Sequence, residues 1–237
     1  MKIFTTINPS ESSIQTQTEA LSSWKRYDIY SINTKDEIDK ISLIYPFVNF
    51  IESDSTYEYN GKKLIKLNGI LDSISKVCDG SCNVAIVNSD IILNNKIKNS
   101  IFNKKYEDSL VISTRWELSD GETYPFNYGY DLFIFNTKFI NLFKNDKYVI
   151  GLPWWDFWLP CISIKAGLKL YHIKNQLIYH RTHETNYDKD IWIKFGEYLY
   201  DDVMLKILQN PINENVYSFC IAMKSFIEKK QIDIKIK

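Results

Sequence analysis

The sequence has no charge excess: 29 Lys and Arg offset 29 Asp and Glu across 237 residues. Without a basic surplus, no long-range field draws the chain to a nucleic-acid backbone, and no nucleic-acid partner is expected. Glycine is scarce, with eight residues, and neither GxGxxG nor GxxxxGK[ST] occurs. That disfavours dinucleotide oxidoreductases and P-loop NTPases, whose phosphate cradles need glycine backbone. No apolar run approaches the ~18 residues of a membrane span. The opening segment, residues 1–8, is too short and too polar for a signal peptide, so a cytoplasmic chain, at most peripheral to a membrane, is expected. Cysteine is limited to Cys78, Cys82, Cys161 and Cys220, with no paired CxxC motif. These read as reduced thiols, and a zinc at Cys78 and Cys82 would need two further ligands.

Aromatic residues are abundant, with 16 Tyr, 13 Phe and 6 Trp. They exceed what a core of this size requires, so some should line a cleft or an interface. Short β-like runs alternate with helical patterns, as in βαβ units around a mainly parallel sheet. Strands are predicted over Lys2–Ile7, Asp28–Ile32 and Phe47–Ile51, within Asn83–Leu93 as the Val84–Val87 run that ends at Asn88-Ser89-Asp90, and over Leu110–Thr114 and Asp131–Phe135. Helices are predicted over Ile14–Trp24, from a Thr34/Glu37 capping box through Tyr45, over Leu64–Val77 and over Asp156–Ala166. Leu168–Ile173 and Gln176–His180 read as a closing β pair. Helices over Asp188–Gln209 and Asn213–Lys229 would form a C-terminal helical extension, about residues 188–237, of one α/β domain spanning 1–237. Val84-Ala85-Ile86-Val87 suits a central strand buried on both faces.

In open α/β sheets ligands bind at the carboxyl ends of the strands. Those ends carry Thr6-Ile7-Asn8, Asn33-Thr34, Glu52-Ser53-Asp54, Asn88-Ser89-Asp90 and Arg115-Trp116-Glu117. A nucleoside diphosphate bound without a glycine loop generally needs a divalent cation to neutralise the pyrophosphate. Asp90, directly after the most hydrophobic strand, is the strongest candidate ligand. Two of only three histidines fall in His180-Arg181-Thr182-His183-Glu184. A His with one carboxylate suits Mn²⁺ or a similar ion better than Ca²⁺. His180 is preferred because a strand end is better fixed than the loop beyond it; His183 is the alternative.

Four stretches together resemble the GT-A-fold nucleotide-diphospho-sugar glycosyltransferases of a bacterial or viral subgroup. They are Thr6-Ile7-Asn8-Pro9 with Gln17, Ala20-Leu21, Ser23-Trp24, Ser31-Ile32-Asn33 and Glu37; Val87-Asn88-Ser89-Asp90-Ile91-Ile92-Leu93, where the family has its DxD motif; Gly129-Tyr130-Asp131-Leu132-Phe133; and Trp155-Asp156-Phe157-Trp158-Leu159 through Ala166-Gly167 to His180 and His183. They span residues 3–187. The resemblance implies a Rossmann-like, mainly parallel sheet flanked by helices, and transfer of a sugar from a nucleotide-sugar donor to a glycan or other hydroxyl acceptor. Thr6, Asn8 and Asn33 would then contact the nucleoside, and Asn68 the base or phosphates. Asn88, Ser89 and Asp131 would face the donor, and Asp90 with His180 would hold Mn²⁺ or Mg²⁺. One departure stands out. Asn88 replaces the first carboxylate of the family motif, so only Asp90 supplies charge and cation dependence is not a given.

Asp156 is the candidate general base for an inverting reaction, in the apolar setting of Trp154, Trp155 and Trp158 that would raise its pKa. A plain helix-capping Asp is the alternative. Trp154, Trp155 and His183 are acceptor-side candidates. Arg115-Trp116-Glu117 reads as a solvated loop or a flap, and Gly121–Gly129 as an irregular aromatic loop. Lys224–Lys237 carries five lysines against two acids, a solvated helix end or a weak contact for a membrane surface. A non-catalytic glycan- or partner-binding relative is one rival reading. A sugar-1-phosphate nucleotidyltransferase is another, although Asn8-Pro9-Ser10-Glu11 lacks the glycine-rich, basic loop such enzymes use.

Overall fold

The computed structural model describes residues 1–95, 108–126, 128–182, 189–204 and 216–235. The first half alternates strand and helix: β1 (Lys2–Thr5), α1 (Glu11–Ser23), β2 (Asp28–Asn33), α2 (Lys35–Ile41), β3 (Asn49–Glu52), β4 (Thr56–Tyr59), β5 (Lys62–Ile65), α3 (Leu67–Val77) and β6 (Asn83–Val87). The second half adds β7 (Ile91–Leu93), β8 (Ser109–Ser113), β9 (Trp116–Ser119), β10 (Glu122–Pro125), β11 (Leu132–Asn136), α4 (Ile140–Phe143), α5 (Trp155–Lys165), β12 (Lys169–Ile173), β13 (Ile178–Arg181), α6 (Lys189–Leu199), α7 (Val216–Glu228) and β14 (Gln231–Ile234).

Eight strands form the main sheet in the order β14-β12-β8-β11-β6-β1-β2-β3. All neighbours pair in parallel except β11, which runs against both β6 and β8. This is the mixed, mostly parallel α/β sheet expected. The Val84–Val87 run of β6 sits near its middle and is buried throughout. Its side chains alternate between two apolar layers. Val84 and Ile86 join Phe4, Phe133 and Phe135 under α3, α5 and α7, while Ala85 and Val87 join Ile3, Leu132 and Ile134 on the α1 face.

A second sheet, β10-β9-β13-β7, grows from the carboxyl edge of the first. It starts where β6 passes through Asn88–Asp90 into β7 and where β8 passes through Thr114 and Arg115 into β9. The end of α1 pins it in place: the Trp24 indole Nε1 donates to the Ile91 carbonyl at 2.8 Å, and Leu93 N donates to Ser23 Oγ at 2.9 Å. One edge of the main sheet is thereby roofed.

Several local expectations are corrected. The helix expected from Leu64 begins at Leu67, because Leu64 and Ile65 belong to a hairpin turned by Asn60 (φ 49°) and Gly61 (φ 71°). The loop expected over Gly121–Gly129 starts instead as the β9–β10 hairpin, turned by Asp120 (φ 51°) and Gly121 (φ 83°). Two-residue turns with both central residues at positive φ match the strand twist, which favours Asn-Gly and Asp-Gly there. The closing β pair does not form: β12 lies between β8 and β14 in the main sheet, whereas β13 pairs with β7 and β9 in the small one. The capping box at Thr34 and Glu37 is present, but its helix stops at Ile41 rather than Tyr45. The C-terminal helices are observed as α6 and α7. The apolar face of α7 (Phe219, Cys220, Met223, Ile227) lies in the core, and the chain then returns as β14, a strand not expected.

Phe133 lies wholly buried at the centre of β11. Phe133→Ala should cost about 3–5 kcal/mol of unfolding free energy, from lost burial and an unfilled cavity. Urea denaturation measures this, and a loss below about 1 kcal/mol would contradict the packing described.

Candidate functional site

At the roofed edge, six side chains form one continuous polar chain. Asp90 Oδ2 lies 3.3 Å from His180 Nε2, and Glu117 Oε2 lies 2.8 Å from His180 Nδ1. Glu117 Oε1 accepts from Arg115 Nε at 2.7 Å, and Arg115 Nη1 donates to Asp131 Oδ1 at 2.9 Å. Asn88 Nδ2 donates to the same Asp131 oxygen at 3.0 Å. The elements explain the convergence. Asn88 and Asp90 follow β6, Asp131 precedes the antiparallel neighbour of β6, Arg115 follows β8, and Glu117 and His180 are register partners on β9 and β13. The Arg115 guanidinium also lies 3.8 Å over the Phe126 ring, a cation–π contact.

The charges shift as this pairing requires. Burial would raise the Glu117 carboxyl, but hydrogen bonds from His180 and Arg115 pull it down to about 2. Burial alone would lower the His180 pKa; the hydrogen bonds to Asp90 and Glu117 outweigh it and raise it to about 9. Asp131, only 2% exposed, is raised by burial despite the opposing Arg115 charge, and its Oδ2 has no hydrogen-bond partner among the described residues. Asp156 is raised to about 7, first by burial and then by the Asp131 charge. It stands in the first turn of α5, where Oδ2 accepts from Tyr130 N at 3.3 Å. A Cβ on Gly129 would come within 2.6 Å of that oxygen, so only glycine leaves the carboxylate room.

A second cluster fixes the neighbouring strand ends. Gln17 on α1 accepts from Asn8 N at 2.7 Å and donates to the Asn8 carbonyl at 2.8 Å, while Ser89 Oγ donates to Gln17 Oε1 at 2.9 Å. Asn8 itself is exposed and Thr6 half-buried. Asn33 is 1% exposed, and its amide donates to the Ile7 carbonyl and to Glu37. It braces the strand end rather than presenting itself to a ligand.

The expected residues therefore divide. Asn88, Ser89, Asp90, Asp131 and His180 come together. Asn68 instead pairs with Asp146 and accepts from Asn145 N, with no described contact to that group. Trp154 (1% exposed) and Trp155 (3% exposed) are core residues, not a sugar-stacking wall. The Trp154 indole donates to the Trp192 carbonyl and packs on Phe157 and Phe219, from a left-handed backbone (φ 77°) that enters α5. The three large rings around it leave the indole no path to solvent. His183 lies outside the described residues. Arg115 and Glu117, read in the sequence as a solvated loop or a flap, and Gln17, quoted there only for the resemblance, are the main residues that the sequence reading left without a site role. For Gln17 the signal was a lone polar side chain on the Ile14, Leu21, Trp24 face of α1.

Among the described residues no three His, Cys, Asp or Glu are grouped to hold a metal ion. Two donors are nonetheless disposed for one. With Nδ1 committed to Glu117, the ring directs Nε2 at Asp90, the carboxylate–histidine pattern that orients metal-binding imidazoles. Adjacent ligands of an octahedral Mg²⁺-sized ion lie about 3 Å apart, close to the 3.3 Å observed. The pair fits a cation whose other ligands come from a bound molecule.

No family model matches the chain, and no curated protein matches it. Solved structures do. TarS 1-349 of S. aureus in complex with UDP-GlcNAc superposes with a TM-score of 0.56 at 13% identity, covering 86% of this chain and 67% of that one. The fold is of the GT-A type. A longer S. aureus TarS structure gives a TM-score of 0.55 at 13% identity, covering 94% of this chain and 43% of that one, so this chain spans less than half of it. At such identity the likeness concerns fold alone.

In metal-free buffer the bridged His180 should retain its proton when folded up to about pH 9, against about 6.5 when unfolded. A raised folded pKa adds stability that is fully present below pH 6.5 and lost as the pH rises through 9. Wild-type protein should lose on the order of 2 kcal/mol across that window, and His180→Asn should not. Urea titrations at pH 6, 7.5 and 9.5 check this; parallel curves for the two proteins would refute the bridge.

Proposed function

We propose that the chain transfers a sugar from a nucleoside-diphosphate sugar to a hydroxyl acceptor, on a growing glycan. The observation that carries this reading is the Asp90–His180–Glu117–Arg115–Asp131–Asn88 chain at the carboxyl edge of a GT-A sheet, with Asp156 beside it. The TarS structure of the same fold binds UDP-GlcNAc, which supports a nucleotide-sugar donor here.

Asp90 and His180 would hold Mn²⁺ or Mg²⁺, which neutralises charge on the departing diphosphate when bound. Glu117 keeps the His180 ring turned toward Asp90. Arg115 and Asn88 fix one Asp131 oxygen, leaving the other, unpartnered oxygen for a donor-sugar hydroxyl. Asp156 would take the proton from the acceptor hydroxyl as the bond to the sugar forms, in an inverting reaction. A carboxyl raised to about 7 is matched to that task near neutral pH. Thr6, Asn8 and Ser89, on the strand ends braced by Gln17, would meet the nucleoside. Among the described residues no helix is long and apolar enough to cross a membrane. A weak contact with an anionic membrane surface would use the exposed Lys229, Lys230 and Lys235.

Cation and nucleotide should bind together, because one carboxylate and one imidazole leave most coordination positions to the pyrophosphate. Calorimetry should show Mn²⁺ binding at least tenfold tighter in the presence of UDP or the cognate nucleotide, and Asp90→Ala should abolish that gain. Equal Mn²⁺ affinity with and without nucleotide would count against the site.

Asp156→Asn should leave donor affinity within about twofold while turnover falls at least ~10²-fold, the usual scale for loss of a general base. In wild-type enzyme kcat/KM should fall as the pH drops below about 7, where Asp156 takes up a proton. Near-normal turnover in the Asn variant would reduce Asp156 to a structural residue of α5.

A further inference from the structure

Beyond Asp156 the structure holds a separate pocket of about 210 Å³, between the ends of β8 and β12, the β9–β10 hairpin and α7–β14. That is about seven times the roughly 30 Å³ that one water takes up in the liquid. Two of its lining residues carry polar atoms that are buried without a hydrogen-bond partner among the described residues: the Tyr130 hydroxyl and Gln231 Oε1. Tyr130 is 2% exposed. Its hydroxyl can donate and accept, whereas Gln231 Oε1 can only accept. Leaving such groups unpaired costs free energy of order 1–3 kcal/mol each, so a pocket built around two of them is suited to a hydroxyl-bearing occupant.

The lining also sets the ligand's charge. Lys174 is paired with Asp233 at 3.1 Å and Lys224 with Glu228 at 3.5 Å. Burial lowers the His172 pKa, so the imidazole, 3.5 Å from Thr114 Oγ1, is neutral near pH 7. The cationic groups are matched by acids, which disfavours a phosphate. Half-buried Trp116 gives an apolar wall of the kind that C–H faces of pyranoses pack against. Tyr130 joins this pocket to the candidate base, since its backbone N–H donates to Asp156 Oδ2.

We propose that this pocket binds a neutral sugar ring, and, resting on the transferase reading above, that this ring is a glycosyl unit of the acceptor. Its far wall is this chain's own α7 and β14, so the C-terminal strand contributes to the binding site as well as to the sheet.

The test uses ¹⁵N-labelled full-length protein and the Trp116 indole N–H signal, assigned with Trp116→Phe. The probes are the methyl β-glycosides of glucose, galactose and N-acetylglucosamine, inorganic phosphate, and UDP. At least one glycoside should shift the Trp116 signal saturably, and phosphate should not. Tyr130→Phe should weaken that glycoside about two- to tenfold, the range of one net hydrogen bond. Its melting temperature should not fall, because the hydroxyl has no hydrogen-bond partner among the described residues. Gln231→Met, which removes the second unpaired atom, should weaken it similarly and covers the case of a poorly folded Tyr130 variant. No saturable glycoside shift, a shift with phosphate in its place, or wild-type affinity in both variants would overturn the proposal. UDP separates the two readings. Glycoside binding without any UDP binding would leave the pocket standing and remove the transferase reading, and UDP binding without glycoside would do the reverse.

Discussion

The site is organised around the Arg115 guanidinium, held between Asp131 and Glu117 in a setting that is mostly closed to water. A carboxylate as buried as Asp131 is expensive to ionise unless a cation stands against it. Arginine suits this position because its planar fork reaches two acids at once and stays charged. From this one group the order spreads in both directions. Glu117, drawn down by Arg115 and His180, orients the imidazole toward Asp90, and Asp131 receives Asn88 and raises Asp156. Truncating Arg115 would leave two buried acids facing each other, so the network stands or falls as a unit.

The roof over the sheet edge makes that arrangement possible. Asn88–Asp90 and Thr114–Arg115 are the places where strands of the large sheet cross into the small one. The crossing sets charged side chains at fixed depth under a second layer, where the local dielectric is lower and pairings are strengthened. The antiparallel β11 matters for the same reason. Its reversal brings the start of that strand, with Asp131 and Tyr130, to the edge where the parallel strands end.

Tyr130 and Asp131 then face different regions. Asp131 belongs to the charged chain. Tyr130 lies on the helical side, packs on Phe157, and lines the pocket walled by α7 and β14. Asp156 lies between the two, hydrogen-bonded to the Tyr130 backbone and coupled to the Asp131 charge. In the proposed reaction these two regions would take donor and acceptor on either side of one carboxyl, the arrangement that group transfer needs.

Much of this was legible in the chain. The uninterrupted Val84–Val87 run suits a doubly buried strand, and in a mainly parallel sheet the polar residues after such strands collect at one edge. Asn60-Gly61 and Asp120-Gly121 also carried the signal for their hairpins, although the helix was expected from Leu64 and a loop from Gly121. The tryptophans near Asp156 could not be assigned from composition, because a Trp in a core and a Trp on a cleft wall look alike in sequence; packing against Trp192 and Phe219 placed Trp154 inside. Local sequence by itself determined most strands of the large sheet, their polar ends and the acids there, since these depend on periodicity and chain direction over a few residues. Only the tertiary structure decided that β12 and β13 separate into different sheets, that β14 returns to the edge, and that Arg115 lies between Asp131 and Glu117. The strand pairings join segments tens of residues apart, and although Arg115 lies only 2 and 16 residues from its two acids, no local period encodes which partner will neutralise a buried charge.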